Sequence, residues 1–291
     1  MITIKVPATT ANIGPGFDSL GMAFQLYSYF SFRKIESGIK IMGCEKEFQN
    51  EENLVYRAFK YTSEKLGVSI DGLEIEIKSD IPVSRGLGSS AACIVGGVMG
   101  ANILLGGDLL QEEIFEICTN LEGHPDNVAP AIYGGLTASF MEKNKPYTVN
   151  YDIHKDIYFY AIIPDFQVST KESREILPET VPYKDAIFNI SRVAVLLKAF
   201  EKGDQELIKR SLVDNLHEKY RKLLIYEFDK VKDICEKSKN IGFFISGSGS
   251  TVINISKDTN FDKEIDYDLK NLKNNWRVKS LEIDFKGAVQ M

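Results

Sequence analysis

The stretch PVSRGLGSSAAC, residues 82–93, sets two glycines and two serines between a proline and an alanine-started apolar run. That composition fits a backbone loop opening a helix, and three chemistries compete for it. A P-loop needs a lysine straight after its last glycine, and no lysine follows a glycine here. Gly86, Gly88 and Ala91 match the dinucleotide pattern G-x-G-x-x-A, with Asp108 further along. That fingerprint requires its acidic residue at the end of a second strand. Here a long small-residue helix, AACIVGGVMGANILL, intervenes, and Asp108 stands where a helix N-cap would. In the third reading Ser89 and Ser90 enter the first helical turn, so free N–H groups and the helix dipole face an anion. Glycines let the main chain approach phosphate without a Cβ in the way. A serine-capped helix after a tight turn is the bland alternative, and local chemistry does not separate the two.

Other polar residues sit in suggestive company. In PATTANIGPGFDSLGMAF, residues 7–24, a glycine-rich turn explains Gly14 and Gly16 but not Asn12 with Asp18. Both are short polar side chains suited to an amino group and a hydroxyl. LEGHPDNVAPAIYGG, residues 121–135, gathers Glu122, His124, Asp126 and Asn127. A lone glutamate near a helix end is ordinarily just solvated. VSTKESREILP carries Thr170 and Arg174, and HEKYRKLLI carries Arg221. Arginine presents a planar fork that meets a carboxylate with two bonds, although exposed arginines mostly serve solvation.

These residues need a frame. ITIKV, LYSYFSFRKIE, LEIEIKS and LTASFME read as strands. NLVYRAFKYTSEKLG has helical spacing, with Asn53 as N-cap and Gly67 as stop. Helices are predicted over about 89–105 and 109–122. Residues 143–156 are polar and mark a boundary between a domain over 1–150 and a second over 151–291. Beyond it IYFYAIIP predicts a buried strand, followed by a polar loop to Pro182 and three helical stretches to about residue 238. IGFFIS and TVINI predict strands flanking a Gly-Ser loop. A last helix and the strand WRVKSLEID close the chain. Strands and helices mix without regular βαβ alternation, which predicts an α+β fold in two domains.

Composition narrows the partners. The 291 residues suit two domains, and 44% hydrophobic with 26% charged residues is ordinary for a globular chain. A formal charge of −6 argues against nucleic acid, while local arginines can still attract a small anion. Cys44, Cys93, Cys118 and Cys235 show no CxxC spacing, which predicts reduced thiols and a cytoplasmic location. No histidine pairs at metal-ligand spacing with another histidine or a cysteine. The N-terminus does not read as a signal peptide, and no apolar run predicts a membrane helix.

P-x-x-x-G-L-G-S-S-A-A, Pro82 to Ala92, closely resembles the central signature of the galactokinase, homoserine kinase, mevalonate kinase and phosphomevalonate kinase (GHMP) superfamily. FFISGSGSTV, residues 243–252, resembles its C-terminal glycine-rich signature, with Ser250 where relatives usually carry proline or a similar residue. The stretches at 7–24 and 121–135 resemble the homoserine kinase branch. The resemblance runs from Pro7 to Val252 and implies a two-domain GHMP kinase architecture. The N-terminal domain would be like ribosomal protein S5 domain 2, the C-terminal one ferredoxin-like.

The resemblance implies ATP-dependent phosphorylation of the homoserine hydroxyl, with Mg²⁺. Pro82, Val83, Ser84, Arg85, Gly86, Leu87, Gly88, Ser89, Ser90, Ala91 and Ala92 would wrap the phosphates, with Asn53 near the base. Ser90 and Glu122 would hold the metal. Asp126 and Asn127 would join Ser90 and Glu122 as catalytic residues. Asn12, Asp18, His124, Thr170, Arg174, Arg221, Gly247 and Gly249 would bind the acceptor. Mevalonate kinase-like relatives place an aspartate as candidate base near position 127. An amide there implies reliance on positioning and charge stabilisation. Other GHMP small-molecule kinases, a catalytically dead ATP-binding relative and an ATP-using decarboxylase are the competing expectations. A homodimer is an assembly the resemblance allows.

Overall fold

The computed structural model describes residues 1–291. Its strands are β1 (Ile2–Ala11), β2 (Leu20–Lys34), β3 (Gly38–Met42), β4 (Gly72–Ser79), β5 (Leu136–Glu142), β6 (Lys145–Tyr151), β7 (Tyr158–Pro164), β8 (Asn240–Ile245), β9 (Val252–Ser256), β10 (Trp276–Leu281) and β11 (Val289–Gln290). Its α-helices are α1 (Leu54–Lys65), α2 (Ser89–Leu105), α3 (Gln111–Glu122), α4 (Val128–Tyr133), α5 (Thr170–Glu175), α6 (Tyr183–Lys202), α7 (Gln205–Ser211), α8 (Glu218–Arg221), α9 (Phe228–Lys237) and α10 (Phe261–Leu269).

Seven strands form a first sheet in the order β11-β1-β2-β4-β3, with β5 paired to the other end of β2 and β6 to β5. The four remaining strands form a second sheet, β10-β7-β9-β8, with every pairing antiparallel. Around it the chain runs strand, helices, two strands, helix, strand, which is the ferredoxin-like order. The α+β expectation holds. The last strand, β11, returns to the first sheet beside β1, so the two chain ends meet in one layer.

Helix α2 is apolar all round and therefore central. It packs on α1, α3, β1 and β2. Gly96 and Gly100 lie one helical turn apart, and a side chain at either would collide with the Phe30 or Phe32 ring of β2. Small residues thus let the helix settle on the sheet.

Strand β7 explains how the two sheets join. Phe159 and Ala161 belong to the main core with Phe24, Leu196, Phe200 and Ile253. Tyr160 and Ile162 belong to a second cluster with Val231, Phe261 and Trp276. Side chains of a strand alternate between faces, so the apolar run is buried on both sides.

Several local expectations differ from the structure. Asp108 does not cap α3: the N-cap is Leu110, whose N–H donates to Glu113 Oε2 at 2.8 Å. Strand β2 begins at Leu20, before its aromatic run. The polar boundary holds strand β6, and the loop before Pro182 holds the short helix α5. The three helical stretches up to residue 238 are four helices, α6 to α9.

Candidate active site

Gly88 is the N-cap of α2 and carries no capping side chain, so Ser89 and Ser90 are the first two helical residues. The serine-capped alternative therefore falls. The N–H groups of the first turn are left without a side-chain acceptor, the arrangement that suits an anion. Gly86 has φ +73° and Gly88 φ +69°. A Cβ on Gly86 would meet the Ser246 carbonyl oxygen, and one on Gly88 would meet Thr9 Oγ1. Both glycines are thus required by conformation and by close approach.

The second glycine-rich loop locks this first one in place. Ser246 Oγ donates to the Gly86 carbonyl at 2.5 Å, and Thr251 N–H donates to the Arg85 carbonyl at 3.3 Å. Gly247 N–H donates to the Ala11 carbonyl at 3.0 Å. The Arg85 guanidinium is spent on three carbonyls, those of Val83, Pro164 and Asp165. It ties the loop to the end of β7 and does not reach toward a phosphate. Leu87, Ala91 and Ala92 point into the core.

One cleft of about 110 Å³ gathers most of the remaining polar residues singled out above. Ser84, Gly86, Gly88, Ser89 and Ser90 form one wall, and Glu122, His124 and Asn127 the next. Asn12, Thr170, Arg174, Arg221 and Gly247 complete it. Ser248, unremarked in the sequence, also lines it. Gly249 is buried behind this surface and is absent from the lining. Asp18 and Asp126 stand one residue back, each bonded to a lining side chain. A neighbouring apolar groove of about 710 Å³ shares Ser84, Ser89 and Ser90 and includes Phe30, Phe48, Ile81 and Asn53. The Asn53 side chain is committed to the chain itself. It accepts from Val55 N–H at 3.0 Å and donates to the Phe48 carbonyl at 2.8 Å. Pro82 and Val83 flank the loop, and Val83 lines this groove.

Ser90 Oγ donates to Glu122 Oε2 at 2.7 Å. Burial pushes the Glu122 carboxyl above its usual range, against the opposing pull of that hydrogen bond. His124 Nδ1 lies 2.5 Å from Asp126 Oδ1. Burial acts against the imidazolium, but the Asp126 hydrogen bond and charge outweigh it, and His124 ends above its ordinary value. The Asn127 Oδ1 accepts from Thr9 Oγ1 at 2.8 Å, so Thr9 fixes the amide. No group of three or more His, Cys, Asp or Glu side chains could hold a metal.

The opposite end is cationic. Arg174 on α5 makes two 3.1 Å bonds to the Asp18 carboxylate. Asn12 and Asp18 both adopt positive φ, 58° and 52°, a strained state more often tolerated by Asn and Asp at functional turns. The Asn12 Oδ1 accepts from Asp18 N–H at 2.8 Å and so shapes the turn. Arg221 is 2% exposed. Its Nε and Nη1 donate to the carbonyls of Ser173 and Gly247 at 3.2 and 2.9 Å. Burial lowers its guanidinium to about 10, still cationic at neutral pH.

The family model for the GHMP kinases N terminal domain matches residues 53–135, and that for the GHMP kinases C terminal matches residues 196–265. A homoserine kinase of Clostridium botulinum (strain Kyoto / Type A2) is 47% identical over 99% of this chain and 98% of its own length.

The chain belongs to the GHMP kinase family.

A second relative, a homoserine kinase of Clostridium beijerinckii, is 44% identical over 99% of this chain and 98% of its own length. The crystal structure of homoserine kinase from Cytophaga hutchinsonii superposes with a TM-score of 0.90 at 29% identity, covering 100% of this chain and 97% of that one. The α+β, two-domain GHMP kinase fold expected from the signatures is therefore the fold found, and the chain is a kinase. Within this GHMP kinase, the sequence missed the residues that support the site: Thr9 behind Asn127, Ser246 behind Gly86, and Ser248 on the cleft wall. All three lie inside motifs already quoted or beside them. Only their burial and bonding single them out.

Proposed function

We propose that this GHMP kinase transfers the γ-phosphoryl group of ATP to the side-chain hydroxyl of L-homoserine. The observation that carries the reading is the single cleft joining an uncapped helix N-terminus at one end to Asp18, Arg174 and Arg221 at the other. The first end suits a triphosphate. The second suits an acceptor with an ammonium and a carboxylate, which the full-length likeness to homoserine kinases also supports. The N–H groups of Ser89 and Ser90 face the phosphates, and the adjoining apolar groove is the place for the base. Asp18 and the Asn12 amide receive the ammonium, and Arg174 and Arg221 the carboxylate.

Ser90 and Glu122 fit Mg²⁺. They offer hard oxygen donors side by side, and a half-buried carboxylate with a raised pKa gains from a cation. Magnesium is ordinarily held by one or two carboxylates plus phosphates, which suits a site without a larger acidic cluster. When bound, Mg²⁺ neutralises phosphate charge.

The homoserine oxygen forms its bond to phosphorus as the bond from phosphorus to the ADP oxygen breaks. No strong base lines the cleft. Asn127 is an amide, Glu122 is paired with Ser90 and assigned to the metal, and His124 is paired with Asp126. The hydroxyl proton therefore leaves to the transferred phosphoryl group or to solvent. Rate comes from alignment and charge stabilisation. Residues 1–150 supply the donor loop together with Asn12 and Asp18, and 151–291 supply Thr170, Arg174 and Arg221. Four free thiols support a reducing, cytoplasmic setting. No helix is long and apolar enough to cross a membrane.

The test is product identity. Phosphorus NMR of a reaction with ATP, Mg²⁺ and L-homoserine should show one new phosphomonoester growing in step with ADP. Phosphate release alone, with no ester, contradicts the reading.

A further inference from the structure

His217 lies beyond the cleft lining, yet it grips the turn that carries Asp18. Its ring is fully buried and stacks on Phe17 at 5.1 Å between centroids, 27° from parallel. The Arg221 guanidinium also lies over the Phe17 ring, 5.0 Å from the centroid. Phe17 directly precedes Asp18 in the chain. The His217 Nε2 is 3.2 Å from the Gly14 carbonyl oxygen, and Nδ1 is buried without a partner. A carbonyl oxygen only accepts, so Nε2 carries a proton and donates it to Gly14, with Asp214 Oδ1 3.8 Å from the same nitrogen. Burial lowers its basicity, the Asp214 charge opposes this and the Arg221 charge adds to it, and the ring ends below its ordinary value.

The segment bearing His217 is itself rigid. Asp214 Oδ2 accepts from the N–H groups of Leu216, His217 and Glu218, and Oδ1 accepts from Asn189 Nδ2. The same Asn189 nitrogen donates to the Pro15 carbonyl at 3.1 Å. The turn from Gly14 to Asp18 is therefore held from the second domain at two successive carbonyls and at one aromatic face.

Resting on the homoserine reading above, we propose that His217 is a positioning residue for the acceptor. The buried imidazole fixes Gly14 and Phe17, and through them the spacing between the Asp18 carboxylate and the Arg221 guanidinium. That spacing selects an acceptor with an ammonium and a carboxylate on one carbon. The nucleotide end, built from α2 and the loop before it, does not depend on this contact.

The experiment compares wild type, His217→Leu, His217→Gln and Phe17→Leu by KM for homoserine, KM for ATP and thermal midpoint. Losing one buried hydrogen bond to the turn should raise the homoserine KM about tenfold in His217→Leu, with the ATP KM within about twofold of wild type. His217→Gln restores an N–H donor and should recover most of the homoserine affinity. Phe17→Leu keeps the histidine and should show the same selective loss, which tests the stack even if His217→Leu does not fold. Equal loss for both substrates, or a glutamine variant no better than leucine, overturns the positioning role. Wild-type inactivity toward homoserine would instead overturn the reading beneath it. Normal wild-type turnover with unchanged homoserine KM in all three variants overturns this inference alone.

Discussion

Arg174 meets the Asp18 carboxylate with both Nη atoms, so the site rests as a matched pair across the place proposed for the acceptor. An incoming ammonium and carboxylate can take over those two partners. Arg174→Ala removes charge-assisted bonds that contribute about 1.5–3 kcal/mol each, so the homoserine KM should rise about 10- to 100-fold. Steady-state kinetics with each substrate varied should leave the ATP KM nearly unchanged; an equal rise would place Arg174 on the donor side. Asn12 with Asp18 stood out by residue type in a glycine turn, whereas Arg174 and Arg221 stood out only through the resemblance, since exposed arginines mostly serve solvation; all four meet at one end of the cleft. Thr9, His217 and Ser246 were not legible. A threonine in a strand, or a histidine on an otherwise polar stretch, gives no signal until burial leaves its polar atoms with particular partners.

At the scale of elements, the loop proposed for the phosphates holds its shape because two glycines accept a left-handed backbone, Gly86 pressed against the Ser246 loop and Gly88 against Thr9 of β1. Gly88→Ala meets both obstacles, a strained φ and a collision with Thr9, the residue that holds Asn127. It should destabilise the fold by about 1–3 kcal/mol and raise the ATP KM more than the homoserine KM. Denaturant melts and kinetics check the two halves of that statement. Long periodic or apolar segments such as α1, α2, β7 and β9 were legible because one pattern extends over the whole element. Strand β6 was not: its exposed edge carries Lys145, Tyr147, Val149 and Asn150 amid polar neighbours, which reads as a linker. Helix α5, six residues long, is too short for a helical period to show, although its Ser169 and Glu172 form a capping box. β3 and β11 exist through pairing with distant strands, β4 and β1, and pairing is absent from local pattern.

Across the whole molecule, one apolar core runs from β2 and α2 through β7 to α6 and β9, so the two sheets are held as one body with the cleft at their junction. The single tryptophan, Trp276, sits in the second cluster, far along the chain from α2. Tryptophan fluorescence and far-ultraviolet circular dichroism should therefore report the same unfolding midpoint; separated midpoints would show domains that melt independently. Under the proposed reading the same junction makes the chemistry a property of the pair, since the loop assigned to the donor belongs to one sheet layer and both arginines assigned to the acceptor to the other. The most direct measurement is ADP release with ATP and Mg²⁺ over a panel of L-homoserine, mevalonate, galactose and shikimate. The account predicts turnover with L-homoserine far above the other three. Turnover of mevalonate without homoserine would contradict it.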